Sequence, residues 1–536
     1  MCLLERGKPY PPGSFPRSPR DTSRNFWDPS EGLHGMYDLW SFRGIDALVS
    51  SGLGGGSLIY ANVFIRKDER WFVKEDLDAG GFEYWPFTRA DLEPHYDRVE
   101  SMIRPQRYPF GDVPYSNTPK TRAFKQAAEQ LGLDFQFPHL AVTFANDGRS
   151  PVPGEEIVEQ EPNLHGAKRF TCQLVGECDV GCNWGAKNSL DFNYLSAAER
   201  RGADLRTRCE VRSFEPRAQG GYTIRYVHHR PDREGAKTDT RDPAVVPERV
   251  ITANRLIIAA GALGSPFLLL KNRAALPGLS RVLGSRFCGN ADLLTFAARC
   301  RNGQDEGTAS VLIDAARGPV ITSAIRFPDD QDGGEGRGFY LQDAGFPQFA
   351  AWLLQTVDAP HTLSRGARAV AQVLRQRLTG NPHSNLSGVA AGLLSDTELA
   401  DGTLPLLGMG RDIPNGTMRL RRGNLDLDWR TSKSGPYFDR VRAASREVAH
   451  AMGATSFRDN PLWYLRKVIT VHPLGGCPVG RNPQEGVVDP CGRVFGYPGL
   501  YVADGSVMPG PVGPNPSLTI PALADRFADG ILAEGR

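Results

Sequence analysis

Four stretches of the chain combine residue types and spacings that suit chemistry. The first is CLLERG at positions 2–7, an apolar run closed by Glu5 and a glycine turn. A short strand ending in an acid is what the second strand of a dinucleotide-binding βαβ unit offers to a ribose, because a carboxylate accepts from sugar hydroxyls. The second is SSGLGGGSLIYANV, residues 50–63, where Gly52 and Gly54–Gly56 let backbone approach a flat or anionic ligand. It is not a G-x-G-x-x-G, and no convincing strand precedes it in the sequence. The third is HPLGGCPVG, from His472 to Gly480. The fourth is GLYVADGSVMPGPVGPNPSLTIPALADRFADGI, residues 499–531. Here LYVAD reads as a buried strand ending at Asp504, Gly505-Ser506 turns the chain, and PGPVGPNP delivers Asn515 to the start of a helix. Pro516 suits that helix's first turn, and Leu523, Phe527 and Ile531 form its buried face. A helix N-terminus presents free N–H groups and partial positive charge, which favours an anion.

A fifth stretch invites a metal reading. Cys172, Cys178 and Cys182 stand in TCQLVGECDVGC, with His165 the nearest further ligand type. A fourth Cys at the position of Val175 would complete a zinc or iron–sulfur pattern. With three thiols the structural reading is preferred, and no metal is expected. Nine Cys, an odd number scattered without a secretory leader, favour reduced thiols in a cytoplasmic setting.

The elements that must position these groups are partly legible. TRCEVRSFEP and GYTIRYVHH alternate apolar and polar residues as strands do. RLIIAAG reads as a strand buried on both faces, and SPFLLLKNR as a helix with Pro in its first turn. DDQDGGEGRG reads as an exposed loop. RGARAVAQVLRQRL, with Val370, Val373, Leu374 and Leu378 at helical spacing, reads as a solvated amphipathic helix before a basic binding patch. The 63 Lys and Arg against 61 Asp and Glu leave a net charge of +2, with no footprint for nucleic acid. The most apolar run, LIIAAGALGSPFLLL, is too short to span a bilayer, so a soluble protein is expected.

Taken together, GGGSL, AAGALGSPFLLL, HPLGGC, the C-terminal block and LLERG resemble the glucose–methanol–choline (GMC) family of flavin oxidoreductases, nearest to its bacterial cholesterol oxidase branch with non-covalent FAD. The resemblance implies an α/β fold, α+β overall. It comprises a Rossmann-like parallel-sheet FAD domain, discontinuous over 1–70, 190–300 and 465–536. A substrate domain of antiparallel sheet and helices spans 71–189 and 301–464. His472 falls on the family's catalytic histidine and Asn515 on the Asn that bonds substrate and flavin. The cofactor positions are Glu5 at the ribose, Gly54, Gly55 and Ser57 in the glycine loop, and Asn62 beside the flavin ring. Val211 falls where backbone meets the adenine, and Asp504 and Gly505 at the flavin-contacting strand end. A neutral His suits proton acceptance near pH 7, and flavin N5 takes the carbinol hydride.

The implied function is FAD-dependent oxidation of an alcohol, a 3β-hydroxysteroid such as cholesterol, to the ketone, with electrons passed to O2 or another carrier. Such a substrate would bring the protein to a membrane surface. A dehydrogenase acting on a non-steroid alcohol is the alternative. Three departures accompany the resemblance. The family's signature around GALGSP usually continues to a Ser-Gly pair, and here LLLKNR replaces it. Gln342 stands where that branch carries the glutamate of a later double-bond isomerisation, and Asp343 beside it faces the other side of a strand. Only four residues precede Glu5, whereas the family's G-x-G-x-x-G turn stands roughly 20 residues before the ribose acid. The expectation is a chain lacking that unit, poorly soluble or unable to hold FAD, with Met1 inside a longer reading frame.

Overall fold

The computed structural model describes residues 1–17, 21, 24–77, 80–302, 311–345 and 403–534. The Arg-rich segment 365–378 lies outside the described residues.

Three parallel strand pairings organise one part of the molecule. Cys2–Leu4 pairs with Asp204–Arg206, Leu256–Ile258 with Leu500–Val502, and Ile45–Ser50 with Val468–Thr470. Strand Ile45–Ser50 runs directly into the glycine cluster, so the sequence reading missed it. Its IDALVS carries only three large apolar residues, and the glycines that follow drew the stretch toward a loop. The alternating stretches at 209–228 do form strands: Cys209–Pro216, Tyr222–His228 and Glu248–Ala253 make an antiparallel sheet.

Two strands are less buried than their apolar runs suggest. Cys2 is exposed, and Leu3 and Leu4 are half-buried. Ile257, in the middle of the run read as buried on both faces, is 43% exposed. The reason is pairing: among the described residues, Cys2–Leu4 and Leu256–Ile258 each have a strand on one side only.

The other part is a six-stranded antiparallel sheet. Its order is Asp134–Gln136, Ala324–Phe327, Phe339–Asp343, Leu404–Gly410, Leu293–Ala298 and Ser456–Asp459. The helix Gly435–Ala451 covers it with Tyr437, Phe438, Val441, Ala444, Val448 and Ala449, a helical stripe of buried residues. The loop at 329–338 is not simply exposed: Asp329 is fully buried, accepting from the Arg411 guanidinium at 2.8 Å.

Two helices differ from their sequence reading. Gly261–Lys271 begins before Pro266, which lies inside it. Asp504 accounts for the earlier start, because its carboxylate accepts from Gly261 N–H (2.9 Å) and the Ser265 hydroxyl, tying the first turn down. The C-terminal helix runs Thr519–Ala533, beginning three residues after Pro516, whose carbonyl accepts Ile520 N–H at 2.9 Å. Leu523 and Phe527 are buried as read, whereas Ile531 is only half-buried near the helix end. No helix among the described residues is long and apolar enough to cross a membrane.

Candidate active site

The parallel strands Ile45–Ser50 and Val468–Thr470 run side by side, starting in register with Ile45 beside Val468. One delivers the glycine cluster and the other delivers His472, two residues past its end. Ligands of open parallel sheets bind outside such carboxyl ends. The HPLGGC segment is then fixed by backbone pairing. Leu474 and Cys288 exchange N–H···O bonds of 2.9 and 3.0 Å, and Gly475 N–H donates to Gly505 O at 3.0 Å. Gly475 has φ +83°, and a Cβ there would lie 2.1 Å from the Arg286 carbonyl oxygen, so no other residue fits.

His472 is not free to rotate. Its Nδ1 lies 2.8 Å from Asp292 Oδ1, and Asp292 Oδ2 accepts from Val471 N–H (2.9 Å) and faces the Thr470 hydroxyl at 2.8 Å. An ionised carboxylate only accepts, so Nδ1 carries the proton and Nε2 keeps its lone pair. Asp292 is 1% exposed and His472 15%. Asp292 was missed in the sequence because 180 residues separate it from His472. The only local signal was an acid directly before the apolar strand LLTFAA.

Asn515 is buried and forms a reciprocal amide pair with Gln342: Gln342 Nε2 donates to Asn515 Oδ1 at 2.6 Å, and Asn515 Nδ2 donates to Gln342 Oε1 at 3.3 Å. Each amide keeps one N–H outside the pair. Asp343, the next residue, turns away as strand geometry requires. It holds Lys120 at 2.9 Å and accepts from Ser323 and Thr322 N–H. The loop carrying Asn515 is pinned from below by Lys67, whose ammonium donates to the Pro511 and Val512 carbonyls, both at 2.9 Å. Burial, then the Arg411 charge, hold that ammonium well below the usual lysine range.

The cofactor candidates divide. Gly54 has φ +125° and precedes the turn Gly55–Leu58, while the Ser57 hydroxyl donates to Gly54 O (2.7 Å) and accepts Leu190 N–H (2.9 Å). Asn62 is fully buried at φ +70°, and neither its Oδ1 nor its Nδ2 has a partner. A buried polar atom left unpaired costs roughly 1–3 kcal/mol, so a double orphan marks a place for a ligand's donor and acceptor. Ser517 Oγ donates to Val63 O and brings this segment against the Asn515 loop. The Asp504 carboxylate is occupied by Gly261, Ser265 and Ser506 N–H, so it stabilises the strand–helix junction instead of reaching outward. Gly505 lies behind the HPLGGC segment.

At the other end, Glu5 accepts Gly7 N–H at 2.6 Å, and burial pushes its carboxyl up, opposed by the Gly7 and Gly52 amides. Cys209 N–H donates to Glu5 O at 2.8 Å, which brings Glu5 to the strand carrying Val211. The ladder skips a residue between Val211 and Ser213, and Val211 packs half-buried on the core. The three thiols do not gather a ligand set among the described residues. His165 turns from them to Asp191, its Nε2 2.8 Å from Oδ2, and Lys187 caps the Leu58 and Cys178 carbonyls.

The glycine turn and the unpaired Asn62 amide offer donors and an acceptor of the kind a flavin requires.

Comparison with known proteins decides the family. The GMC oxidoreductase model matches residues 165–276 and 414–524. The cholesterol oxidase of Mycobacterium tuberculosis is 30% identical, covering 98% of this chain and 86% of that protein. This chain is a GMC oxidoreductase. The cholesterol oxidase of Acinetobacter baumannii is 27% identical over 98% of this GMC oxidoreductase and 89% of its own length. In fold it is similar to pyridoxine 4-oxidase from Mesorbium loti, with TM-score 0.56, 16% identity and coverage of 99% and 94%. Members of the family generally bind FAD.

Proposed function

We propose that this oxidoreductase converts an alcohol, a 3β-hydroxysterol such as cholesterol, to its ketone. The supporting observations are a histidine whose Nδ1 is held by Asp292, leaving Nε2 to receive a proton, and a buried Asn–Gln pair with unused N–H groups, on loops joined through the turn at 289–292. FAD, when bound, supplies the two-electron acceptor for the carbinol hydride.

The chain's own residues do the rest. Asn62, Gly54, Gly55 and Ser57 hold the flavin end of the cofactor, and Glu5 and the Val211 backbone hold its ribose and adenine end. Asn515 orients the alcohol oxygen through its free amide N–H, and His472 Nε2 removes the hydroxyl proton. Asp292 holds the ring in the proton-accepting tautomer and stabilises the imidazolium that results. Gln342 is a neutral amide, already paired, with no proton to shuttle, so the product ketone keeps its double bond in place.

The identity of several relatives as cholesterol oxidases supports the sterol. Turnover on 3β-hydroxysterols, following ketosteroid and peroxide together, tests the reading. Ketosteroid with matching peroxide supports an oxidase, and ketosteroid with dye reduction alone places the electrons on a carrier. Absence of ketosteroid from flavin-saturated protein rejects the sterol.

A further inference from the structure

The histidine and the asparagine of the site lie on separate loops, more than 40 residues apart. Backbone pairing of 475–479 with 505–507 joins the segments that carry them, and one turn, Gly289-Asn290-Ala291-Asp292, reaches both loops with its side chains. Two of its residues are strained: Asn290 has φ +50° and Ala291 φ +58°, a left-handed region that alanine seldom enters. Such strain persists only where the surroundings over-determine it.

Here they do. Gly289 N–H donates to Asp412 Oδ2 at 3.1 Å. The three carbonyls that follow are each engaged by a different element: Gly289 O by the Thr470 hydroxyl (2.9 Å), Asn290 O by Gly410 N–H (3.0 Å) and Ala291 O by the Tyr437 hydroxyl (3.1 Å).

The two polar side chains of the turn then diverge. Asn290 Oδ1 accepts from Val512 N–H (2.9 Å) and Gly513 N–H (3.0 Å), and its Nδ2 faces the carbonyls of Pro514 (3.1 Å) and Gly513 (3.3 Å). Every hydrogen-bonding valence of a fully buried amide goes to the three residues before Asn515. Asp292, two residues on, holds Val471 N–H and the His472 ring.

We propose that this turn sets the spacing of the reacting pair, with Asn290 the positioning residue for Asn515 and Asp292 the positioning residue for His472. The inference rests on the reading of His472 and Asn515 as the reacting pair. A left-handed turn places the two side chains on different loops within one rigid unit, adding a fixed spacing near the reacting groups to the backbone pairing of 475–479 with 505–507. The arrangement explains why a strained Ala291 is retained in a buried turn.

The test uses the full chain and two variants. Asn290→Gly keeps the left-handed backbone and removes only the amide. Hydrogen exchange read by mass spectrometry is expected to rise at least tenfold at Val512 and Gly513 in Asn290→Gly, with peptides over 468–474 unchanged. Asp292→Asn is expected to do the reverse, loosening 468–474 alone.

In flavin-loaded protein, Asn290→Gly should lower kcat at least tenfold without moving the pH–rate profile. Asp292→Asn should move the acid limb to lower pH, because the carboxylate no longer stabilises the imidazolium. Unchanged exchange at 512–513, or equal loosening of both loops in Asn290→Gly, overturns the proposal. The exchange readout needs neither flavin nor alcohol, so its failure is separable from failure of the alcohol-oxidation reading, which turnover assays report.

Discussion

The end of the molecule that carries Glu5 and the end that carries His472 are built to different standards. Around His472, polar groups are buried and paired: Asp292 has three partners, Asn290 has four, and Gln342 and Asn515 bond each other. Around Glu5, the short parallel strand Cys2–Leu4 is paired on one side only among the described residues, and Met1 lies open at 81% exposure. The difference teaches where precision is needed. A proton acceptor and an orienting amide must hold geometry to a fraction of an ångström. A ribose contact adds affinity and tolerates looser support.

Substitutions can break this contrast, and the largest effect belongs to the reacting end. His472→Gln removes the base and is expected to lower turnover on the order of 10²–10⁴-fold, with bound flavin unchanged in the absorption spectrum. An equal loss of flavin would show instead that the histidine serves binding. Gln342→Leu strips Asn515 of its partner and should reduce kcat/KM by about tenfold, the cost of an unsatisfied buried amide. Steady-state kinetics on the preferred alcohol measure this.

At the opposite end, Glu5→Gln should weaken FAD affinity by about tenfold or less while kcat at saturating flavin stays unchanged, as fluorescence titration and turnover would report. A fall in kcat instead would erase the distinction between the two ends.

Stability carries a further, smaller prediction. Burial, opposed by the Gly289 amide and aided by Glu75 and Asp292, pushes Asp412 up to about 7 from an ordinary 3.8. The folded state therefore holds this proton more tightly than the unfolded chain. The resulting stability is fully present below about pH 4 and is lost as pH rises through 7. Wild-type Tm should fall between about pH 4 and 7 more steeply than that of Asp412→Asn; parallel curves would reject the assignment. Least affected of all should be Ile257→Thr at the open strand, with a change within about 0.5 kcal/mol in denaturant unfolding.

Local pattern made much of the scaffold legible. The strands Cys209–Pro216 and Tyr222–His228 announce themselves by alternation, and the buried face of Thr519–Ala533 by its spacing of Leu523 and Phe527. The motifs HPLGGC and PNPS hold His472 and Asn515, the residues proposed for the site. Strand Ile45–Ser50 was hidden by the glycines that follow it. The exposure of Ile257 was hidden because an apolar run says nothing about how many neighbours a strand has.

By itself, then, the sequence determined the family, the residue types of the site and the elements that carry them, because these depend on contacts a few residues apart. Only the tertiary structure decided that Asp292 orients His472, that Gln342 completes Asn515, and that a strained turn at 289–292 joins the two. Those pairings span 170 residues or more. No local periodicity encodes them, because hydrogen-bond partners of buried polar groups are chosen by which surfaces the folded core brings together.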